Sequence, residues 1–333
     1  MKGFQTTDVE RWVPNAIFYA NMNQPLCSIA LASKDGAKFI SEQIESVLNQ
    51  TYKNIELIIC DDNSSDNTVD IIKYYQSKDN RIKLYQNKTS LGVVKNFEKA
   101  IMLCSGEYIA LCDQDDIWHR DKIQKQINTA QNYKEPLLIH SDMSIIDKNG
   151  KTLKNSYIRY KRYNPSIGLP HILGANGVMG NTILINRELL QIILPFPSYI
   201  NNHDYYIAVM AELFAKRVYM KDRLLKYRIH NHNSSNSRFK LLKKGCFDIK
   251  RWLQRDFCMP YYDGREIFLE YLLQRYNLSD SNKESINLLL DYIYLRKNRF
   301  EIYKNLLKNR VVRESPLSKT LLLIGILLHK GRV

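Results

Sequence analysis

What this chain lacks narrows it before any motif is considered. Glycine is scarce, 13 in 333 residues, and none of it builds a GxGxxG or GxxxxGKS/T loop. Phosphates are therefore not expected on a bare glycine-lined helix terminus, which argues against a dinucleotide-binding fingerprint. The six cysteines (Cys27, Cys60, Cys104, Cys112, Cys246, Cys258) include no CxxC pair and no metal-finger spacing. Four of them sit in or beside apolar runs as small hydrophobes, so reduced thiols in a cytoplasmic protein are expected. The longest clean apolar run, residues 321–328, falls well short of the roughly 18 to 20 residues that span a bilayer. The opening MKGFQTTDVERWVPN has no apolar core of secretory type. Internal repeats are also missing.

What is there is ordinary globular material, 44% hydrophobic and 25% charged. The length predicts a catalytic domain plus an appendage. A formal net charge of +15 calls for an anionic partner. The excess is uneven: from residue 238 onward, 20 Lys and Arg face 10 Asp and Glu. The basic tail and the chemistry are thus expected in different parts of the molecule.

Along the chain, short apolar runs alternate with amphipathic stretches. LCSIALA (26–32) reads as a strand ending at Ser-Lys-Asp-Gly, and Ile40, Ile44, Val47 and Leu48 follow at helical spacing. IELIIC (55–60), RIKLYQ (81–86), EYIALC (107–112) and LLIHSD (137–142) read as further strands. Helices are expected over 66–77, 91–104 and 119–133. This order predicts an α/β fold with a mostly parallel sheet flanked by helices. Residues 151–176 read as loop, 179–186 as strand, 203–215 as helix and 217–230 as extended chain. Beyond about 240 the pattern is helical.

In an open parallel sheet, ligands bind beyond the carboxyl ends of the strands. Two acidic clusters emerge there: Asp61-Asp62 after the second strand, and Asp113-Gln114-Asp115-Asp116 after the fourth. Helix capping explains Asp66. It does not explain three carboxylates within four residues, whose repulsion asks for a cation. Oxygen ligands without a Cys or His cluster suit Mg2+ or Mn2+.

Four motifs, in order, carry a resemblance. They are SIALASKDG (28–36), IICDDNSSD (58–66), LGVVKN (91–96) and CDQDDIW (112–118). Together they resemble the family 2 inverting glycosyltransferases of the GT-A fold, over about residues 26–235. The DQDDIW variant looks most like bacterial rhamnosyltransferases of surface polysaccharide synthesis. The resemblance implies transfer of a sugar from a UDP- or dTDP-linked donor to a glycan or lipid-linked hydroxyl. It divides the chain into an extension (1–25), a catalytic domain (26–235) and a basic helical region (236–333).

Carried over residue by residue, the resemblance implies that Ala32 and Ser33 line the base pocket and that Asp62 accepts from the pyrimidine ring. Uracil and thymine offer an N3–H donor where cytosine has an acceptor, so an anion there selects UDP or dTDP. Asp113-Gln114-Asp115 matches the family's DxD element. Asp115 would hold the metal, while Asp113 and Gln114 would fix the ribose and donor sugar, with Asp113 also near the metal. Lys95 and Asn96 would face the nucleotide. The family's general base opens a helix after the acceptor loop, which here is Asp204, with His203 beside it. Gly180, Asn181 and Thr182 would border donor sugar and acceptor. Arg228 and His230, two apart in extended chain and so on one side, would reach the diphosphate and the metal; His232 is a lesser candidate. Lys34-Asp35 departs from the commoner Tyr-Asn, which touches base stacking rather than the class.

The tail mixes Lys243, Lys244, Lys250, Arg251 and Arg255 with Phe247, Trp252 and Phe257, as helices lying on membranes do. Peripheral contact with the inner face of the plasma membrane is one expectation and a packed helical bundle the other. Two competing classes fit the sequence less well. A nucleotidyltransferase would want a longer, basic, glycine-rich first loop. A nucleic-acid binder would explain the charge, yet the tail carries no such motif, so no nucleic acid is expected.

Overall fold

The protein is described from a computed structural model, which covers residues 24–230, 265–294 and 298–309. Most of the N-terminal extension, His232, the basic stretch near 240–257 and residues 321–328 lie outside the described residues. Nine strands form one sheet: β1 Cys27–Ser33, β2 Ile55–Asp61, β3 Ile82–Gln86, β4 Tyr108–Cys112, β5 Ile117–Trp118, β6 Leu137–Ile146, β7 Thr152–Lys154, β8 Leu184–Asn186 and β9 Lys216–Arg228. Their order is β3-β2-β1-β4-β8-β6-β9-β5, with β7 paired to β6.

The first half is the expected parallel unit. β1 pairs in parallel with β2 and β4, and β2 with β3. Successive residues alternate between faces, because side chains in a strand repeat every two residues. Ala30, Ile58, Cys60, Ile109 and Leu111 enter one core. Ile29, Leu31, Leu57, Ile59, Tyr108 and Ala110 enter the other. The four cysteines among the described residues are free and buried.

The second half departs from a simple alternation. β8 inserts between β4 and β6 and runs antiparallel to both. The expected strand at 179–186 is a 3-10 turn, Gly180–Thr182, followed by only three strand residues. Thr182 explains the break: its hydroxyl donates to the Met179 carbonyl at 2.7 Å, competing with the ladder. The 151–176 stretch is not bare loop. It holds β7 and the helices Tyr157–Lys161 and Leu169–Ala175.

The C-terminal helices Arg265–Arg275, Asp280–Tyr294 and Arg299–Lys308 do not stand apart. Phe268, Leu269, Leu272, Ile286, Leu289, Ile302 and Leu306 share one core with Ile58, Leu111 and helix His203–Phe214. Phe268 packs against both Tyr205 and Tyr206, ring centroids 6.4 and 5.4 Å apart.

The amino-terminal edge of the sheet is a closed polar knot. Glu56 accepts from the Ser28 hydroxyl, from the amide and hydroxyl of Ser105 (2.7 Å each), and from Lys83 at 2.7 Å. Burial alone would raise its carboxyl, but these donors outweigh burial and hold it at about 2. Gly106 is required here, since a Cβ would lie 2.5 Å from the Leu26 carbonyl.

Candidate active site

The carboxyl-terminal edge is built differently. β4 ends at Cys112, and the chain turns through Asp113-Gln114-Asp115-Asp116 before β5. Burial, then the neighbouring charges of Asp115 and Asp204, push the Asp113 carboxyl up to about 7. Asp204, at the start of helix His203–Phe214, is thus near enough to the tip of β4 for its charge to act on Asp113.

Asp204 is free of capping duty. The cap is Asn202, whose side chain accepts from the amides of Asp204 and Tyr205 at 3.1 and 3.2 Å. One Asp204 oxygen accepts the Gly180 amide at 3.3 Å and the other the Asn176 side-chain amide at 3.1 Å. Burial pushes its carboxyl up to about 6, with those hydrogen bonds pulling the other way. Asn176 is in the left-handed region, φ 35°, which asparagine tolerates.

Asp115 meets His230 directly, carboxylate to Nε2 at 2.7 Å, and the imidazole leans on Phe39 with ring centroids 4.7 Å apart. Asp116 is fully buried. It accepts the Arg228 amide at 3.0 Å and the Asn181 side-chain amide, so it ties β9 to the 180–182 turn. Burial, with the charges of Asp115 and Asp113, lifts its carboxyl well above the usual range.

Several sequence-predicted residues are engaged inside the protein. Arg228 pairs with Glu42, donates to the Asp115 carbonyl at 2.9 Å and lies 4.7 Å over the Phe39 ring. Lys95 binds Glu98 at 2.6 Å and the Phe196 carbonyl at 3.0 Å. Asn96 is buried, not on a solvated face; it donates to the Cys60 carbonyl at 2.8 Å and accepts from Asn87 at 2.9 Å. In this structure, then, the Lys95 and Asn96 side chains are engaged by other protein groups, and Arg228 links Glu42 and Phe39 to the carboxylate loop.

Asp62 accepts four donors: Asn87 at 2.9 Å, Ser90 at 2.7 Å, and the amides of Leu91 and Gly92 at 2.6 and 3.0 Å. A carboxylate offers about four acceptor positions, so here it knots the 87–92 loop. These bonds outweigh burial, and its carboxyl lies below the usual range. Ala32 and Ser33 sit at the tip of β1, with Ser33 donating to Asp61 at 3.0 Å. Gln114 turns to the backbone of Lys34, bonding its amide and carbonyl at 2.8 Å each.

His203 stacks on Phe97, centroids 4.2 Å apart, and burial pushes its imidazole down to about 4, so it is neutral. Among the described residues its buried Nε2 has no partner. A Cβ on Gly180 would come within 3.1 Å of that nitrogen. Asn181 Oδ1 is likewise buried without a partner.

The structure thus gathers Asp113, Asp115, Asp204, His230, Gly180 and Asn181 around one edge. Asn176, Asp116, Glu42 and Phe39 were missed from sequence. Asp116 lay inside the acidic motif, and Asn176-Gly177 carried a turn signal; Glu42 and Phe39 carried none. A ready-made three-ligand cage of Asp113, Asp115 and His230 is not formed: among the described residues no three His, Cys, Asp or Glu side chains could hold a metal ion. The donor set nevertheless fits a hard divalent cation. Mg2+ and Mn2+ bind through one or two carboxylates plus substrate phosphates rather than in all-protein cages, and the mutual repulsion at Asp113 is what a cation would relieve.

Known proteins share this sequence pattern and fold. Residues 28–192 match the family described as Glycosyl transferase family 2. A UDP-Glc:alpha-D-GlcNAc-diphosphoundecaprenol beta-1,3-glucosyltransferase of Escherichia coli is 30% identical over 245 residues, covering 72% of this chain and 92% of the relative. S. aureus TarS 1–349 in complex with UDP-GlcNAc superposes with a TM-score of 0.56 at 15% identity, covering 91% of this chain and 79% of that one. A Pyrobaculum calidifontis mannosyltransferase in complex with GDP-Man and Mn2+ also reaches 0.56, at 13% identity, covering 92% and 87%. With this sheet and these matches, the chain belongs to glycosyltransferase family 2 and has the GT-A fold.

Proposed function

We propose that this transferase moves a sugar from a UDP- or dTDP-linked donor to a hydroxyl of a glycan or lipid-linked glycan, with inversion, in cell-surface polysaccharide synthesis. The observation that carries the reading is the shared field of Asp113, Asp115 and Asp204. The first two come from the tip of β4 and the third from a helix start after the acceptor-side turn.

A sugar hydroxyl is a weak nucleophile, so a carboxylate must take its proton as the new bond forms. Asp204 is suited to that. Its carboxyl, at about 6, is ionised at neutral pH yet basic enough to accept a proton, and Gly180 and Asn176 hold it in place. Neutral His203 and Asn181, each with an unused polar atom beside Gly180, would orient sugar hydroxyls. Asp115 and Asp113, with His230 beside Asp115, would hold Mg2+ or Mn2+. Bound there, the cation would offset charge on the departing nucleotide diphosphate. Ala32 and Ser33 remain our assignment for the base side; Asp62, expected to accept directly from the pyrimidine ring, already accepts four donors and is reassigned to organising the 87–92 loop beside it.

The DQDDIW motif favours a rhamnosyl donor, whereas the named E. coli relative uses UDP-Glc. Turnover of a panel of UDP- and dTDP-sugars with Mn2+, on a lipid-diphosphate-linked acceptor, separates them. Consumption of no nucleotide sugar, with or without metal, would end the proposal. Stripping metal with EDTA should abolish turnover and Mn2+ should restore it. No helix among the described residues is long and apolar enough to cross a membrane. The peripheral contact expected of the basic tail is a proposal for residues outside that set, tested by salt-sensitive flotation with anionic vesicles.

A further inference from the structure

The parallel ladder between β1 and β4 ends at the pair Leu31 and Cys112. Two residues beyond Cys112, the Gln114 side chain adds what amounts to one more rung. Its Oε1 accepts the Lys34 amide at 2.8 Å, and its Nε2 donates to the Lys34 carbonyl at 2.8 Å. A single side-chain amide offers one residue both an acceptor and a donor, as a neighbouring strand does. Glutamate would lack the donor, and asparagine is one methylene shorter.

Gly36 completes the socket. A Cβ at this position would lie 2.2 Å from Gln114 Oε1 and 2.5 Å from its Cδ. The loop is anchored from its other side as well: Lys34 Nζ donates to the Asp62 carbonyl at 2.9 Å, and the Asp35 amide to Ser64 Oγ at 2.9 Å. Gln114 also sits between Asp113 and Asp115, in a loop whose three carboxylates repel one another. Fixing residue 114 restrains its neighbours against that repulsion.

We infer that Gln114 is a positioning residue, a backbone latch joining the first loop to the carboxylate loop, with Gly36 as the space it needs. It couples nucleotide affinity to cation affinity instead of touching the donor sugar. The inference rests on the transferase reading for its consequence, but the latch has a ligand-free readout of its own.

The test uses the full chain and four variants: Gln114→Ala, Gln114→Glu, Gly36→Ala and the Gly36→Ala/Gln114→Ala double. Amide hydrogen exchange at Lys34 should quicken about tenfold in Gln114→Ala, the scale of one or two net hydrogen bonds. The factor by which Mn2+ tightens UDP binding should fall by about the same amount, and UDP must loosen Mn2+ reciprocally. Gly36→Ala should reproduce both effects, and the double variant should be no worse than either single, since one contact is lost in each. Gln114→Glu should not rescue. Unchanged Lys34 exchange in Gln114→Ala, additive losses in the double variant, or intact Mn2+–UDP coupling would each overturn the latch. If the unaltered protein binds neither UDP nor dTDP, the transferase reading fails, while Lys34 exchange still judges the latch.

Discussion

The two edges of the same sheet treat their carboxylates in opposite ways. At the amino-terminal edge, Glu56 is surrounded by four donors from Ser28, Lys83 and Ser105, and its carboxyl sits at about 2. At the carboxyl-terminal edge, desolvation of the half-buried Asp113 and Asp204 outweighs the donors around them, and their carboxyls rise to about 7 and about 6. The first edge has spent its charge on stability. The second holds charge that a ligand can still use, which is how functional sites are commonly marked.

The sharpest way to break this contrast is to neutralise the second edge. Asp204→Asn should lower kcat by about 10²- to 10⁴-fold, the usual weight of a general base. The variant should remain folded and gain stability at pH 8, because a buried charge has gone. A loss of activity that tracks a lowered unfolding midpoint would erase the distinction. Asp115→Asn should also abolish Mn2+-dependent turnover without unfolding the chain; near-normal rates would remove Asp115 from the site.

The reciprocal experiment is Glu56→Ala. It leaves Lys83 and the Ser105 amide without their acceptor and should cost about 2 kcal/mol in urea unfolding, the scale of leaving a buried donor unsatisfied. The folded fraction should retain its kcat and donor KM. A catalytic defect in fully folded protein would mean that the edges are not separable.

Proton linkage gives a subtler test of the same difference. Asp204 is needed ionised, so kcat/KM should fall about tenfold per unit as pH drops below about 6, and Asp204→Asn should lose that limb. Stability should move the other way at this edge. Between about 4 and 7 the folded carboxyls of Asp113 and Asp204 hold protons that the unfolded chain has released. Their contribution is therefore full below the ordinary value of 3.8 and is lost as pH rises through about 6 to 7. For Glu56 the contribution is present above 4.5 and lost as pH falls toward about 2. Denaturation midpoints across pH 4 to 8 should thus flatten in an Asp113→Asn/Asp204→Asn double variant and keep their shape in Glu56→Ala above pH 5.

Much of the first edge-to-edge unit was legible because its signals are local. Apolar runs of five to seven residues closed by Asp61-Asp62 and by Asp113 read directly as strand ends, and β1, β2 and β4 fall within a residue or two of expectation. The start of helix His203–Phe214 was equally clear. Less legible was the direction in which polar side chains turn. Lys95 and Asn96 lie at the expected helix start, yet one binds Glu98 and the Phe196 carbonyl and the other the Cys60 carbonyl. Glu98 is the i+3 neighbour that helix spacing predicts, but the Phe196 and Cys60 carbonyls are backbone partners far along the chain, where no spacing rule reaches. Arg228 likewise faces Glu42, which no motif contains.

The sequence by itself determined the class: periodicity set the strand and helix alternation, and strand-end carboxylates without glycine loops pointed to cation-assisted phosphate chemistry. Tertiary structure alone decided that β8 runs antiparallel beside β4, that the C-terminal helices share the catalytic core, and that Asp204 reaches the field of Asp113. Periodicity and turn chemistry act within a few residues, whereas strand pairing, burial and charge coupling depend on which distant segments exclude water from one another.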